Sequence, residues 1–478
     1  MTGHRKHRLG RLAGMVALVS VFGLAGCDLD SLLDVKDPET VNPGTLEDPE
    51  VIDVVIAGAE GDFASAFGGG DSYVTVDGLM SDQLISSGSF PTRTATDQRI
   101  QWRPNEGNTS DDIYVDLQFA RRALREATTK VADHADYGTA SGAYKELKAL
   151  QGYTYVLLGE AFCSAIPLSY VDTGSGEFVY EPPSSSQALL QQAVTLFDQA
   201  IGGSDDEMAR VGKGRALLAL GQYAEAAAAV SGIPTTWERF IYFSQSGINN
   251  PVFSLQGNGR YSQSHNEGIN GLPYRDGCEV TLSATGVPDP GAGIPAGCDP
   301  RTPWFEDPAG GFTPTIPLYR SLKYTDYDSP IVLASGVEAR LIEAEALMES
   351  NDFAGMTGVL NTLRQEADQI LADWIPDFSE YSGWALPDLA VPGARADAVD
   401  QLFAERAFWL FLSGHRLGDL RRLVYQKNRG SENVYPTGAY HKGGDTYGPD
   451  VVFPLDFDEA GNPEFSHDMC NVESAAIN

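Results

Sequence analysis

Residues 405–423 read Glu-Arg-Ala-Phe-Trp-Leu-Phe-Leu-Ser-Gly-His-Arg-Leu-Gly-Asp-Leu-Arg-Arg-Leu. Phe408, Leu412, His415 and Asp419 recur every three or four residues and share one stripe of a helix. Arg416 and Asp419 are i,i+3 neighbours able to pair on its surface. So many acids and arginines beside a histidine invite a catalytic reading. A fold-defining helix with internal ion pairs accounts for the pattern better, and His415 reads as a packing residue.

Outward from this stretch, helical periodicity recurs at roughly 50–67, 110–129, 142–162, 185–201, 208–230, 336–350, 354–370 and 396–424. The scaffold is therefore mainly α. Two junctions share a pattern. Leu217 to Ala226 is an apolar helix that stops at Gly221, followed by an aromatic, Tyr223, and small residues. Ala346 to Gly355 repeats this logic with Asn351 and Phe353. Both resemble the inter-helix turn of tetratricopeptide repeats. They lie roughly 130 residues apart, so the 34-residue tandem period is absent. Residues 244–330 form a long insertion rich in Gly, Pro, Asn, Ser and Tyr, and 68–104 is a second loop-like region carrying Tyr73, Phe90 and Trp102. An irregular segment as long as 244–330 in a compact protein is usually functional or disordered, and a disulfide between Cys278 and Cys298 within it favours order.

The N-terminus predicts export. His4, Arg5, Lys6, His7, Arg8 and Arg11 precede an apolar run, Leu12 to Leu24, short of the ~20 residues a spanning helix needs. Leu24-Ala25-Gly26-Cys27 resembles a lipobox, so residues 1–26 read as a lipoprotein signal peptide and Cys27 as the lipidated first residue. Residues 27–49, broken by Pro38, Pro43 and Pro49, read as a tether. Residues 50–478 then form a single domain. The net charge of −33 repels phosphate backbones and disfavours nucleic acid as a partner. Four further cysteines allow three pairings in an oxidising compartment. Cys278 and Cys298 flank a Gly/Pro-rich loop and are paired here, which leaves Cys163 with Cys470; buried free thiols are the alternative.

The 405–423 stretch resembles the C-terminal helix signature of the SusD/RagB family of nutrient-uptake lipoproteins. Three other stretches agree. Leu33-Asp34-Val35 with Pro43, Leu46 and Ala57-Gly58-Ala59 resembles the family's opening. Arg340 to Ala346 with Leu360 to Arg364 resembles its central helix pair. Phe453-Pro454-Leu455 with Glu459 and Asn462-Pro463 resembles its closing segment. The resemblance implies a mainly α, SusD-like fold with tetratricopeptide-repeat-like helix pairs and long irregular loop insertions. It also implies a surface-facing outer-membrane lipoprotein, held by a lipid anchor, that captures an oligosaccharide or other nutrient. The ligand would pass to a SusC-like TonB-dependent outer-membrane transporter. A protein-binding scaffold lipoprotein and a surface glycoside hydrolase are the alternatives.

The chemistry of a sugar ring, apolar C–H faces edged by hydroxyls, calls for aromatic platforms with polar rims. Trp102, Tyr261, Tyr274 and Trp304 are the candidates, each also readable as a packing aromatic. No G-x-S-x-G, H-E-x-x-H, P-loop or G-x-G-x-x-G motif occurs, and the chain reads as a non-enzyme without cofactor. Glu306 and Asp307, beside Trp304 and Phe305, are the carboxylates to test first for hydrolysis. His134, His265, His415, His441 and His467 show no ligand spacing, and no metal is expected.

Overall fold

The structure, a computed structural model, describes residues 51–101, 107–172, 175–202, 206–283, 297–374 and 386–478. The expected signal peptide, Cys27, the tether and Trp102 lie outside the described residues. In chain order the helices are α1 (Ile52–Gly68), α2 (Tyr73–Met80), α3 (Pro91–Asp97), α4 (Thr109–Asp133), α5 (Gly142–Ala161), α6 (Ser186–Ala200), α7 (Glu207–Ala219), α8 (Tyr223–Val230), α9 (Pro251–Gly257), α10 (Gly336–Glu349), α11 (Phe353–Gln365), α12 (Ala367–Trp374), α13 (Arg395–Trp409) and α14 (Arg416–Tyr425). The strands are short: β1 (Leu84–Ser86), β2 (Tyr170–Val171), β3 (Phe178–Val179), β4 (Glu238–Ile241), β5 (Tyr261–Gln263), β6 (Gly277–Glu279), β7 (Asp299–Asp307), β8 (Leu318–Ser321) and β9 (Ile331–Ser335). None of the described helices is long and apolar enough to cross a membrane.

Helix starts follow capping chemistry. Ser141, Ser185, Ser335 and Asp352 each accept a backbone N–H of the first turn with their side chains, and Asn108 and Asp111 form a reciprocal capping box. The two junctions stop as their sequences imply. Gly221 and Asn351 adopt positive φ, 73° and 63°, which ends α7 and α10 and turns the chain into α8 and α11. Neighbours in the stack run α4, α5, α6, α7, α8, and α10 then packs directly on α8. The chain thus leaves the stack after α8 and returns beside the same helix. β4 and β9 close this excursion as an antiparallel pair, Glu238 opposite Ser335 and Ile241 opposite Ile331, so the insertion is clasped at its base. Disulfides join Cys163 to Cys470 and Cys278 to Cys298, the pairing expected.

The 396–424 segment is not one helix. α13 ends at Trp409, and Leu412 and Gly414 take positive φ, 50° and 71°, before α14 begins at Arg416. A side chain on residue 414 would press on Tyr73, so glycine serves both the turn and the close approach. The break turns the signature into a buried ionic junction. Arg416 reaches Asp82 after α2, at 2.8 and 2.9 Å, and does not pair with Asp419 as the spacing suggested. Asp419 instead accepts Arg406 at 2.8 and 2.9 Å and Arg422 at 2.8 Å. Arg422 also reaches Glu345 on α10, at 2.6 Å, and Glu405 holds Arg301 of the insertion and Arg364 of α11 at 2.8 and 2.5 Å. Arg421 donates to carbonyls of Gly159, Phe162, Ala475 and Ala476. One short stretch fastens the start, the stack, the insertion and the C-terminus. His415 is buried between Ser413 and Glu338, and burial, then the Arg215 charge, lowers its pKa; it packs, as expected.

Candidate functional site

The two loop-rich regions meet. β1 pairs with β5, Ser86 opposite Tyr261 and Leu84 opposite Gln263, joining 68–104 to the insertion. Backbone bonds then knit three turns side by side: Ser87 N donates to Arg260 O at 2.8 Å, Phe312 N to Gly259 O at 2.7 Å, and Thr313 N to Ser87 O at 3.0 Å. This lattice sets Phe90, Arg260 and Phe312 next to one another. The Arg260 guanidinium lies 3.5 Å from the Phe312 ring centre and 5.5 Å from that of Phe90. The Arg93 guanidinium lies 4.8 Å from the Phe90 ring centre.

The row Phe312, Arg260, Phe90, Arg93 is open to solvent at its rings: Phe90 is 51% and Phe312 53% exposed. Fully burying a phenylalanine is worth about 1.5–3 kcal/mol, and an exposed cation–π contact returns only ~0.5–1 kcal/mol. Stability alone does not account for two open rings at this place. The two arginines differ. Arg93 is committed to Asp71, Nε to Oδ2 at 2.9 Å and Nη2 to Oδ2 at 2.6 Å, whereas Arg260 forms no ion pair among the described residues. Arg260 therefore keeps guanidinium donors for a ligand.

A rigid layer supports the face. Lys442 Nζ donates to Ser86 Oγ, Gly88 O and Thr94 Oγ1 at 3.0, 2.8 and 2.9 Å, and burial lowers its pKa against the pull of Asp97. Asp97 accepts Tyr440 OH at 2.6 Å and Ser86 N at 3.1 Å and contacts His441 Nε2 at 2.7 Å. Burial, and then the Asp97 charge, pushes the Glu267 carboxyl well up, and Tyr447 OH donates to it at 3.0 Å. Among the described residues no group of histidines, cysteines and carboxylates could hold a metal ion.

The sequence-chosen aromatics stand elsewhere. Tyr261 is fully buried and donates to Asp71; Tyr274 is fully buried, donates to Asp82 at 3.0 Å and packs on Phe411. Trp304 is 8% exposed, donates through Nε1 to Arg275 O and Gly277 O at 3.0 and 3.1 Å, and meets Tyr319 edge-on. The structure places these three as packing residues: Tyr261 on β5 and Trp304 on β7 are turned into the core, and Tyr274 opens a single 3-10 turn with its ring against Phe411. Glu306 and Asp307 are adjacent on β7 and so alternate across the strand. Glu306 is exposed while Asp307 contacts Arg320 at 3.4 Å, and the pair does not converge on a shared point. Arg260 and Phe312 went unnoticed in the sequence, although Gly310-Gly311 before Phe312 marks a loop tip.

No protein-family profile and no curated protein matches the chain. Solved structures do. A SusD superfamily protein from Parabacteroides distasonis superposes with a TM-score of 0.60 at 13% identity, over 87% of this chain and 98% of that one. A SusD/RagB family protein from Bacteroides thetaiotaomicron gives 0.58 at 14% identity, over 87% and 94%. A laminarin-binding SusD-like protein gives 0.53 at 17% identity, over 87% and 98%. The stacked helix pairs, the clasped insertion and these superpositions agree: the chain has the SusD-like fold.

Proposed function

We propose that this chain captures a neutral glycan at the Phe312–Arg260–Phe90 face. From there it delivers the glycan to a partner TonB-dependent outer-membrane transporter. The observation that carries the reading is a guanidinium, without an ion-pair partner among the described residues, set beside two half-exposed rings. A ring takes the C–H face of a sugar, and the guanidinium donates to hydroxyls at its rim. The strongly acidic chain repels anionic ligands, which favours a neutral saccharide. One structure of the same fold is that of a laminarin-binding SusD-like protein, which supports a saccharide as the ligand class. The lipobox-like Leu24-Ala25-Gly26-Cys27 supports anchoring at the outer membrane by a lipid on Cys27.

Calorimetry tests the binding. The full chain in detergent is titrated with neutral hexasaccharides, and Phe90→Ala, Phe312→Ala and Arg260→Ala should each weaken binding by about 1–3 kcal/mol with the fold intact. Unchanged affinity in all three variants overturns the site. Gentle solubilisation should recover the chain with a large β-barrel partner; recovery only as a monomer at every detergent strength favours a scaffold role.

A further inference from the structure

A second surface, built from other residues, carries the same kind of chemistry. A cleft of about 430 Å³ opens between α4, the β2–β3 hairpin and residues 456–462, within the size range of small-ligand sites. Its apolar side is open. Phe119 on α4 is 57% exposed, and Phe178 and Tyr180 on the hairpin are 55% and 43% exposed, with ring centres 4.7 Å apart. By strand alternation Phe178 and Tyr180 share a hairpin face with Val171, the partner of Phe178 across the strands.

The polar side is held in place. Tyr114 OH donates to Glu459 Oε1 at 2.8 Å, and Asn462 Nδ2 lies 3.3 Å from Glu459 Oε2. Among the described residues no cation forms an ion pair with Glu459 or with the exposed Asp458. Burial, with the Asp458 and Asp112 charges adding to it, raises the pKa of Asp456 on the same rim. Guanidinium donors face the cleft from α4: Arg122, paired with Glu126 at 3.0 Å, and Arg121, which donates to Ser169 O at 2.9 Å. A two-stranded hairpin is marginal by itself. Here the bond from Arg121 and another from Gln118 Nε2 to Pro167 O, at 2.9 Å, moor its base. The aromatic pair is thus preorganised.

We propose that this cleft is a second saccharide site. A hexose unit of a neutral glycan stacks on Phe178 and Tyr180 while its hydroxyls donate to Asp458 and Glu459 and accept from Arg122. A hydroxyl both donates and accepts, which suits a cleft with carboxylates on one wall and guanidinium groups on another. The carboxylates, which have no ion-pair partner among the described residues, disfavour an anionic sugar on their wall. The inference rests on the ligand class of the function proposed above and uses none of the same residues.

The test titrates the full chain in detergent with maltohexaose, cellohexaose, laminarihexaose and mannohexaose, and with an oligogalacturonate of equal length. At least one neutral hexasaccharide should fill two sites. The exposed pair Phe178→Ala with Tyr180→Ala should remove one site, or weaken it on the order of tenfold or more, and Phe178→Trp should keep it. Phe312→Ala should leave that site in place. If Phe312→Ala changes nothing while the hairpin variant abolishes binding, the cleft stands and the loop face fails. The inference is overturned if the hairpin variant binds as the unmodified chain does. It is equally overturned if no neutral hexasaccharide binds the Phe312→Ala protein, or if oligogalacturonate occupies the cleft as tightly.

Discussion

Asp419→Asn should cost about 3–5 kcal/mol of stability at neutral pH, the usual scale for removing one partner of a buried ion pair. Asp419 is 3% exposed and accepts three charge-assisted bonds, two from Arg406 and one from Arg422. The loss concentrates on Arg406. Arg422 retains Glu345 at 2.6 Å, whereas Asp419 is the carboxylate that pairs Arg406, which is itself 3% exposed. Asparagine fits the space and leaves that guanidinium buried against an amide. Urea unfolding under non-reducing conditions measures the cost, and Arg406→Met added to Asp419→Asn should recover part of it. The pH dependence has a definite sign. Burial opposes ionisation of Asp419 and Glu345, but Arg406 and Arg422 hold Asp419 far down, and Arg422 with Lys427 holds Glu345 at about 2. Depressed carboxylates stabilise fully above their unfolded pKa, about 4, and lose that contribution as pH falls toward the folded value. The gap between Asp419→Asn and the unmodified chain should therefore narrow below about pH 4. A gap under ~1 kcal/mol at pH 7, or one indifferent to pH, refutes the account of this junction.

Trp304→Ala should destabilise by about 3–5 kcal/mol and Phe312→Ala by less than about 1 kcal/mol, since one ring is buried and the other half open; comparable unfolding midpoints for the two variants would sink the distinction. Cys27→Ala should release the protein from the outer membrane with an unchanged circular dichroism spectrum, and an unlipidated variant that stays membrane-bound in high salt contradicts the anchor.

The long helices were legible because period and stops are local, whereas the short helices α2, α3 and α9 lie inside the stretches read as loops, too brief to show a helical period. Gly221 and Asn351 end helices through their own backbone preferences, and the spacing of Cys278 and Cys298 around a Gly/Pro-rich loop marked a bridge. The candidate site was legible only as a pair of loop-rich regions. Which aromatic faces water depends on pairing between distant segments: Tyr261 and Trp304 sit on strands whose inward face is decided by partners near residues 86 and 321. Arg416 looked like a local partner of Asp419, but its bond goes to Asp82, more than 300 residues away in sequence. The break at Leu412 was hidden because an apolar run around a single glycine reads as continuous helix.

The central claim is tested most directly by a crystal structure of the full chain soaked with a neutral hexasaccharide that calorimetry shows to bind. The account predicts a hexose ring against Phe312 or Phe90 with a hydroxyl within hydrogen-bond distance of the Arg260 guanidinium. A saccharide bound only away from this face, with Arg260 untouched, would contradict it.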